Sequence, residues 1–200
     1  MDTFDAIYGR RAIKAYDPDF VMPDEDLRKI LEAAMQAPTS FNIQHWRFVV
    51  ARDPELRTKI REVGNDQAQM TEASVLIIMT ADTKAWQKDP SRYWQNAPAE
   101  VADLLVNWMG PFHEGREWLQ RDEAQRSIGM AMMTIMLSAK AMGYESCPMI
   151  GFEIEKVAEL INLPDDHVMG PMISIGKGIK EAWPKPGQLG YDEVVITDRY

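Results

Sequence analysis

Apolar positions along the chain change period repeatedly, and each change marks an element. Phe4, Ile7 and Tyr8 share one face of a short opening helix that Asp2 or Thr3 can cap and Gly9 can end. From Pro23 to Gln36, Leu27, Ile30, Leu31 and Ala34 recur at helical spacing, behind an acidic first turn suited to the positive end of the helix dipole. Trp46 to Ala51 reads as a strand, and Asp53-Pro54 opens another helix as cap and N1 proline. Val75 to Thr80 is unbroken apolar, the pattern of a strand buried on both faces. A helix near Glu100 to Trp108 lies in a Trp- and Pro-rich stretch, 84 to 115. Glu117 to Met142 predicts a long helix, apolar nearly all round after Ala124 and hence central and buried, with Gly143 at its C′ position. A strand over 144 to 150, a helix over Glu153 to Ile161, a strand over Pro171 to Ile175 and a last strand over Glu193 to Thr197 complete the pattern. The predicted class is α+β, with a central mixed sheet flanked by helices on both sides and no linker dividing residues 1–200, so a single domain is expected.

Charge and composition narrow the function. Thirty-one acidic against 22 basic residues leave a net charge of −9, which argues against a nucleic-acid or anionic-membrane partner. One cysteine, Cys147, rules out an intrachain disulfide, and three dispersed histidines give no metal-ligand spacing, so no metal is expected. Neither a signal-peptide pattern nor a bilayer-length apolar run is present, and a cytoplasmic location is the expectation. Of the 14 methionines, Met130, Met132, Met133, Met136, Met142 and Met149 crowd one stretch, as adaptable side chains of a buried helix would.

Four segments could carry chemistry. Arg10, Arg11 and Lys14 form a basic knot that could grip an anion, or could be a solvated patch paired with Asp17 or Asp19. Ala37 to Trp46 offers a hydroxyl and two side-chain amides suited to the edge of a flat heterocycle, or to plain turn chemistry. Cys147-Pro148-Met149-Ile150-Gly151 lets backbone approach something flat, with Cys147 itself reading as a small buried hydrophobe. Trp183-Pro184-Lys185-Pro186-Gly187 is a rigid turn presenting Lys185. Phosphate-binding loops, a dinucleotide fingerprint and a serine-nucleophile elbow are all missing.

Taken together, Arg10-Arg11-Ala12-Ile13-Lys14-Ala15-Tyr16, Ala37-Pro38-Thr39-Ser40-Phe41-Asn42-Ile43-Gln44-His45-Trp46, the Gly143…Pro148-Met149-Ile150-Gly151-Phe152 block and the strand running into Gly176-Lys177-Gly178 resemble the nitroreductase family of FMN-dependent oxidoreductases. The resemblance spans nearly the whole chain. It implies an intertwined homodimer with two FMN sites at the interface and the C-terminal strand exchanged into the partner's sheet. It implies that Arg10 and Arg11, helped by Lys185, hold the FMN phosphate and ribityl end, that Ala12 lies at the cofactor with one phosphate hydrogen bond fewer than the usual hydroxyl gives, and that Lys14 approaches the ring where reduction places negative charge. Pro38, Thr39, Ser40, Asn42 and Gln44 would contact the ring region from the second chain, with Gln69 reading a ring edge. The backbone of Pro148, Met149, Ile150 and Gly151 would pack on the flavin, an N–H of Ile150 or Gly151 facing N5, with no side-chain nucleophile.

The activity so implied is hydride transfer from NAD(P)H through FMN to a nitroaromatic, quinone or similar acceptor in a ping-pong cycle. Phe41, Trp108 and Phe112 are the expected substrate contacts, the latter two in a lid over 84–115. Dehalogenating or flavin-fragmenting chemistry on the same fold, and a non-enzymatic flavin-binding module, are the alternatives. Ala12 stands where the family usually has a hydroxyl and Gly187 where many members have a second base. His45 replaces the usual proline before the tryptophan, either as a loop change or as a substrate-facing imidazole.

Overall fold

A computed structural model describes all 200 residues. Helix α1 (Thr3–Gly9) starts on Asp2, whose carboxylate accepts from the Asp5 N–H at 2.9 Å. Helix α2 (Asp24–Ala34) is followed by a tight 3₁₀ turn (Ser40–Asn42) and strand β1 (Trp46–Ala51). Helix α3 (Pro54–Glu62) begins as its sequence predicts, with Asp53 accepting from Glu55 N–H at 3.0 Å. Helix α4 (Gln69–Glu72) leads into strand β2 (Val75–Asp82). Two 3₁₀ turns, Ala85–Gln87 and Pro90–Tyr93, precede helix α5 (Ala99–His113), which runs further than the pattern implies and carries Pro111 inside it. Helix α6 (Glu117–Ala141), strand β3 (Glu145–Met149), helix α7 (Ile154–Leu160) and strand β4 (His167–Gly176) follow, with a one-turn helix α8 (Tyr191–Val194) near the C-terminus.

The strands pair in the order β1-β2-β4-β3, each antiparallel to its neighbour. Parallel pairing enters at the isolated bridge between Ala12 and Ser146. Every residue of β2 is buried, as its unbroken apolar run requires. Its odd positions, Val75, Ile77, Met79 and Ala81, pack with Ile30 of α2 and Ile128, Ala131 and Ile135 of α6. Its even positions, Leu76 and Ile78, pack on the opposite face with Ile60, Val157 and Met172. The sheet is therefore covered by helices on both sides, and side-chain alternation along one central strand divides the core into two layers.

Two expectations change. The apolar stretch of α6 is not buried all round: Ile128, Ala131, Ile135 and Met136 face the core, while Met130 and Met133 remain 38% and 37% exposed in the single chain. The helix is simply apolar on its outer face as well. The strand expected over Glu193–Thr197 is absent. Tyr191–Val194 is helical, and Val195 and Ile196 lie exposed, because no strand of the chain's own sheet pairs with them. No helix is long and apolar enough to cross a membrane.

Candidate functional site

The basic knot is fixed to the end of the sheet by backbone pairing. Ile13 N–H donates to Ser146 C=O at 3.1 Å beside the Ala12–Ser146 bridge, and Tyr16 bridges Gly178. Asp17 N–H reaches Lys177 C=O at 2.9 Å, and Ile179 N–H reaches Ala15 C=O at 3.1 Å. Gly176 lets the segments approach closely at this junction, since a Cβ there would lie 3.0 Å from the Ser74 nitrogen and the Tyr16 ring and force both to give. The knot and Gly176-Lys177-Gly178 thus converge at the start of β3, whose other end leads into Pro148–Gly151.

Beside them lies a cavity of about 490 Å³. Arg10, Arg11, Ala12 and Lys14 line one side, and Trp183 and Lys185 line the other. Arg10 Nε and Nη1 are buried and have no hydrogen-bond partner. Leaving such donors unpaired costs about 1–3 kcal/mol each, more for a charged group, so the wall is built for an acceptor that is itself anionic. Arg11 is differently placed: its Nη1 turns back to Tyr8 C=O at 2.7 Å and Arg10 C=O at 2.8 Å, which commits part of its fork to the end of α1. The Lys185 ammonium contacts Gln188.

The β3 exit presents backbone, not side chains. Met149 is buried in the core layer of Ile60, Val157 and Met172, whereas Ile150 is 77% exposed and Gly151 is open. The Gly151 carbonyl is held by two amides, Asn65 Nδ2 at 3.0 Å and Gln67 Nε2 at 2.9 Å. Buried Gln69 donates to Gln67 Oε1 at 3.0 Å and so reaches this strand exit through Gln67. Asn65 and Gln67 were not legible as site residues. The nearest signal was their polarity beside Gln69, just before an all-apolar strand. Cys147 is a buried free thiol that burial pushes up, with Lys14 and Arg10 pulling the other way, as befits a packing residue rather than a nucleophile.

The Ala37–Trp46 segment sits apart from this cavity, whose lining includes none of it. Phe41, Asn42 and Gln44 all adopt left-handed backbone, φ 49°, 55° and 54°. Strain of that kind in non-glycine residues persists only where the surroundings impose it, and it concentrates at ligand clamps. Thr39 Oγ1 accepts from Gln44 N–H at 2.9 Å, Gln44 Nε2 donates to Asn42 C=O at 3.2 Å, and Asn42 Nδ2 donates to Tyr93 C=O at 2.9 Å. Ser40 Oγ is buried without a partner. Pro38 is exposed at the start of this loop.

Phe41 carries the loop into a second cavity of about 270 Å³, shared with Trp108, Pro111, Phe112 and Arg116. All three aromatic residues singled out from the sequence are therefore together, the Phe41 and Phe112 rings 5.2 Å apart. The base of this region is clamped electrostatically. Lys88 Nζ lies 2.8 Å from Asp82 and 2.5 Å from Asp166, whose other oxygen pairs with His167 Nδ1 at 2.6 Å. These three residues have the spacing of a metal-ligand group, but the lysine already stands between the two carboxylates.

His45 resolves into a core residue. It is fully buried, and its Nδ1 lies 3.0 Å from Ser127 Oγ. Because Ser127 donates to Glu123 C=O at 2.8 Å, the imidazole is the donor in that pair and is neutral. Burial, reinforced by nearby His113, pushes its pKa down to about 4.

Comparison with known proteins agrees with this architecture. The model of the Nitroreductase family matches residues 7–177, and the chain belongs to that family. The protein DrgA of Synechocystis is 62% identical over 182 residues, covering 91% of this chain and 87% of DrgA. MhqN of Bacillus subtilis, named as an NAD(P)H nitroreductase, is 32% identical over 174 residues and 84% of each chain. An Exiguobacterium sibiricum protein described as a nitroreductase, solved in complex with FMN, superposes with a TM-score of 0.90 at 28% identity, covering 98% of this chain and 97% of its own.

Proposed function

We propose that the protein is an FMN-dependent NAD(P)H oxidoreductase acting as a homodimer on small electron-poor acceptors. The observation that carries this reading is the buried, unpartnered guanidinium edge of Arg10 at the 490 Å³ cavity, in a segment that Ala12 and Ile13 tie to Ser146 of β3, the strand that leads to the exposed Ile150 and Gly151. Those residues fit a phosphate at one end and a flat ring at the other. The chemistry FMN would supply is two-electron transfer through N5, from NAD(P)H in one half of a ping-pong cycle and to a nitroaromatic, quinone or similar acceptor in the other.

The chain's own part is binding and electrostatics. Arg10 and Arg11 hold the phosphate with Lys185, and Ala12 leaves room beside them. Lys14 sets a fixed cation where reduction adds negative charge. Asn65, Gln67 and Gln69 brace the Pro148–Gly151 backbone through the Gly151 carbonyl, so that an N–H of Ile150 or Gly151 can face N5. The strained loop of Pro38, Thr39, Ser40, Asn42 and Gln44 completes the site of a second copy. Its separation from the basic cavity within one chain supports that reading, as do the exposed Met130 and Met133 on α6 and the exposed Phe4 and Tyr8 on α1. The C-terminal segment would gain its strand only by exchange. Residues 84–115 form the lid of the single domain, with Phe41, Trp108 and Phe112 against the acceptor.

Purified protein is expected to carry the yellow flavin spectrum, to lose it on anaerobic addition of NADH or NADPH, and to regain it with a quinone. Flavin bound but bleached by neither nucleotide would refute the reductase reading, and protein that takes up no FMN would refute the cofactor.

A further inference from the structure

The 270 Å³ groove has four apolar walls, Phe41, Trp108, Pro111 and Phe112, and one polar one, Arg116. The guanidinium of Arg116 lies 6.0 Å from the Phe112 ring centroid and donates to Phe112 C=O at 3.3 Å. That holds it over the groove without neutralising it. Glu114 and Glu117 flank it in sequence, yet no carboxylate in the chain comes within ion-pair distance, in a protein of net charge −9 where five of the ten arginines outside the basic knot are paired. One edge of the groove is Phe41, which sits between Ser40 and Asn42 of the strained loop.

We propose that Arg116 is a specificity-determining residue that selects aromatic acceptors carrying an anionic substituent, such as a carboxylate or sulfonate, over neutral acceptors of the same shape. The inference rests on the reductase reading above. Its physical content is a division of labour. Aromatic walls take a flat ring by offset or edge-to-face contact, and these forces scarcely distinguish a carboxylate from a carboxamide. A planar guanidinium does distinguish them, since only the anion receives a charge-assisted, bidentate pair. The volume, just under the usual range for small-molecule sites, suits one or two rings rather than a whole dinucleotide.

The experiment compares 4-nitrobenzoate with 4-nitrobenzamide. In the holoenzyme, the ratio of kcat/KM for the benzoate over the benzamide should fall roughly fivefold in Arg116→Gln, mostly through KM, because an exposed cation contributes modestly. Arg116→Lys should recover part of the ratio, and added salt should lower it in the wild type and not in Arg116→Gln. A second readout does not depend on turnover: quenching of tryptophan fluorescence by each compound, where Arg116→Gln should weaken benzoate binding by a similar factor. An unchanged ratio in both readouts overturns the proposal, as does a rise in the KM for NADH with no change in the ratio. If neither compound is reduced but benzoate binding still depends on Arg116, the reductase reading fails and the anion site stands.

Discussion

The two cavities of this chain are built on opposite plans. Around Arg10, Lys14 and Lys185 the wall is cationic, and the buried donors of Arg10 are left without acceptors; the segment that carries them is fixed by backbone pairing to β3 and to Gly178. Around Phe41, Trp108 and Phe112 the wall is aromatic. The loop beneath it is held by two internal hydrogen bonds and one to Tyr93 C=O, with three residues in left-handed backbone and Ser40 Oγ left without a partner. Both regions hold buried polar atoms without partners, but those of the first belong to a cation and those of the second, Ser40 Oγ and the Trp46, Trp86 and Trp94 indoles among them, are neutral. A tightly held cofactor wants the first plan and an exchanging substrate the second.

The sharpest way to break that contrast is to remove the unsatisfied charge. Arg10→Ala should weaken FMN binding by two to three powers of ten, on the order of 3–4 kcal/mol for charge-assisted bonds to a phosphate. A fluorescence titration of apoprotein with FMN measures it. Phe112→Ala, on the aromatic wall, should leave that titration close to wild type while altering acceptor KM. If the two variants lose FMN equally, the cavities do not divide the work as described.

A second effect belongs to the aromatic side alone. His45 supports the loop from below as a neutral ring, with its pKa near 4 in the folded chain against an ordinary 6.5. The unfolded chain therefore binds the extra proton first. Stability is fully present above pH 6.5 and falls as pH drops toward 4, by about 3 kcal/mol in all if His45 acts alone. His113 shifts in the same direction, again chiefly through burial. Urea unfolding at pH 7, 5.5 and 4.5 should show this loss, and His45→Gln should flatten the slope. A full slope in that variant would place the responsible proton elsewhere.

Much of this arrangement is written locally. The cap at Asp53-Pro54, the two-sided burial of β2 and the extent of α6 follow from period and capping within a few residues, and they came out as the pattern predicts. The four candidate segments were legible because each concentrates unusual residue types. What was not legible depends on distance in sequence. Asn65 and Gln67 meet Gly151 across 86 and 84 residues, and Lys88 meets Asp166 across 78. Such contacts leave no periodic trace. The choice between a loop role and a substrate-facing role for His45 turned on Ser127, 82 residues away. At the C-terminus the β-rich composition of Glu193–Thr197 predicts a strand that the chain does not form, because composition does not say whether a partner strand lies alongside.

Because Asn65 and Gln67 share the Gly151 carbonyl, they also allow the smallest and most discriminating test of the comparison. Gln67→Ala removes one of two donors and leaves buried Gln69 without its acceptor, so a loss of about 1 kcal/mol in stability is expected. Asn65 keeps the strand exit in place, which limits the damage. If the brace exists to aim the Ile150–Gly151 backbone, reduction by NADH should slow several-fold while FMN affinity falls by no more than about fivefold, the equivalent of one ordinary hydrogen bond. Stopped-flow reduction set against the FMN titration separates the two. A loss of affinity as large as that of Arg10→Ala would mean that the amides hold the cofactor themselves. The first cavity would then be an extended polar grip rather than a cationic end joined to a backbone shelf.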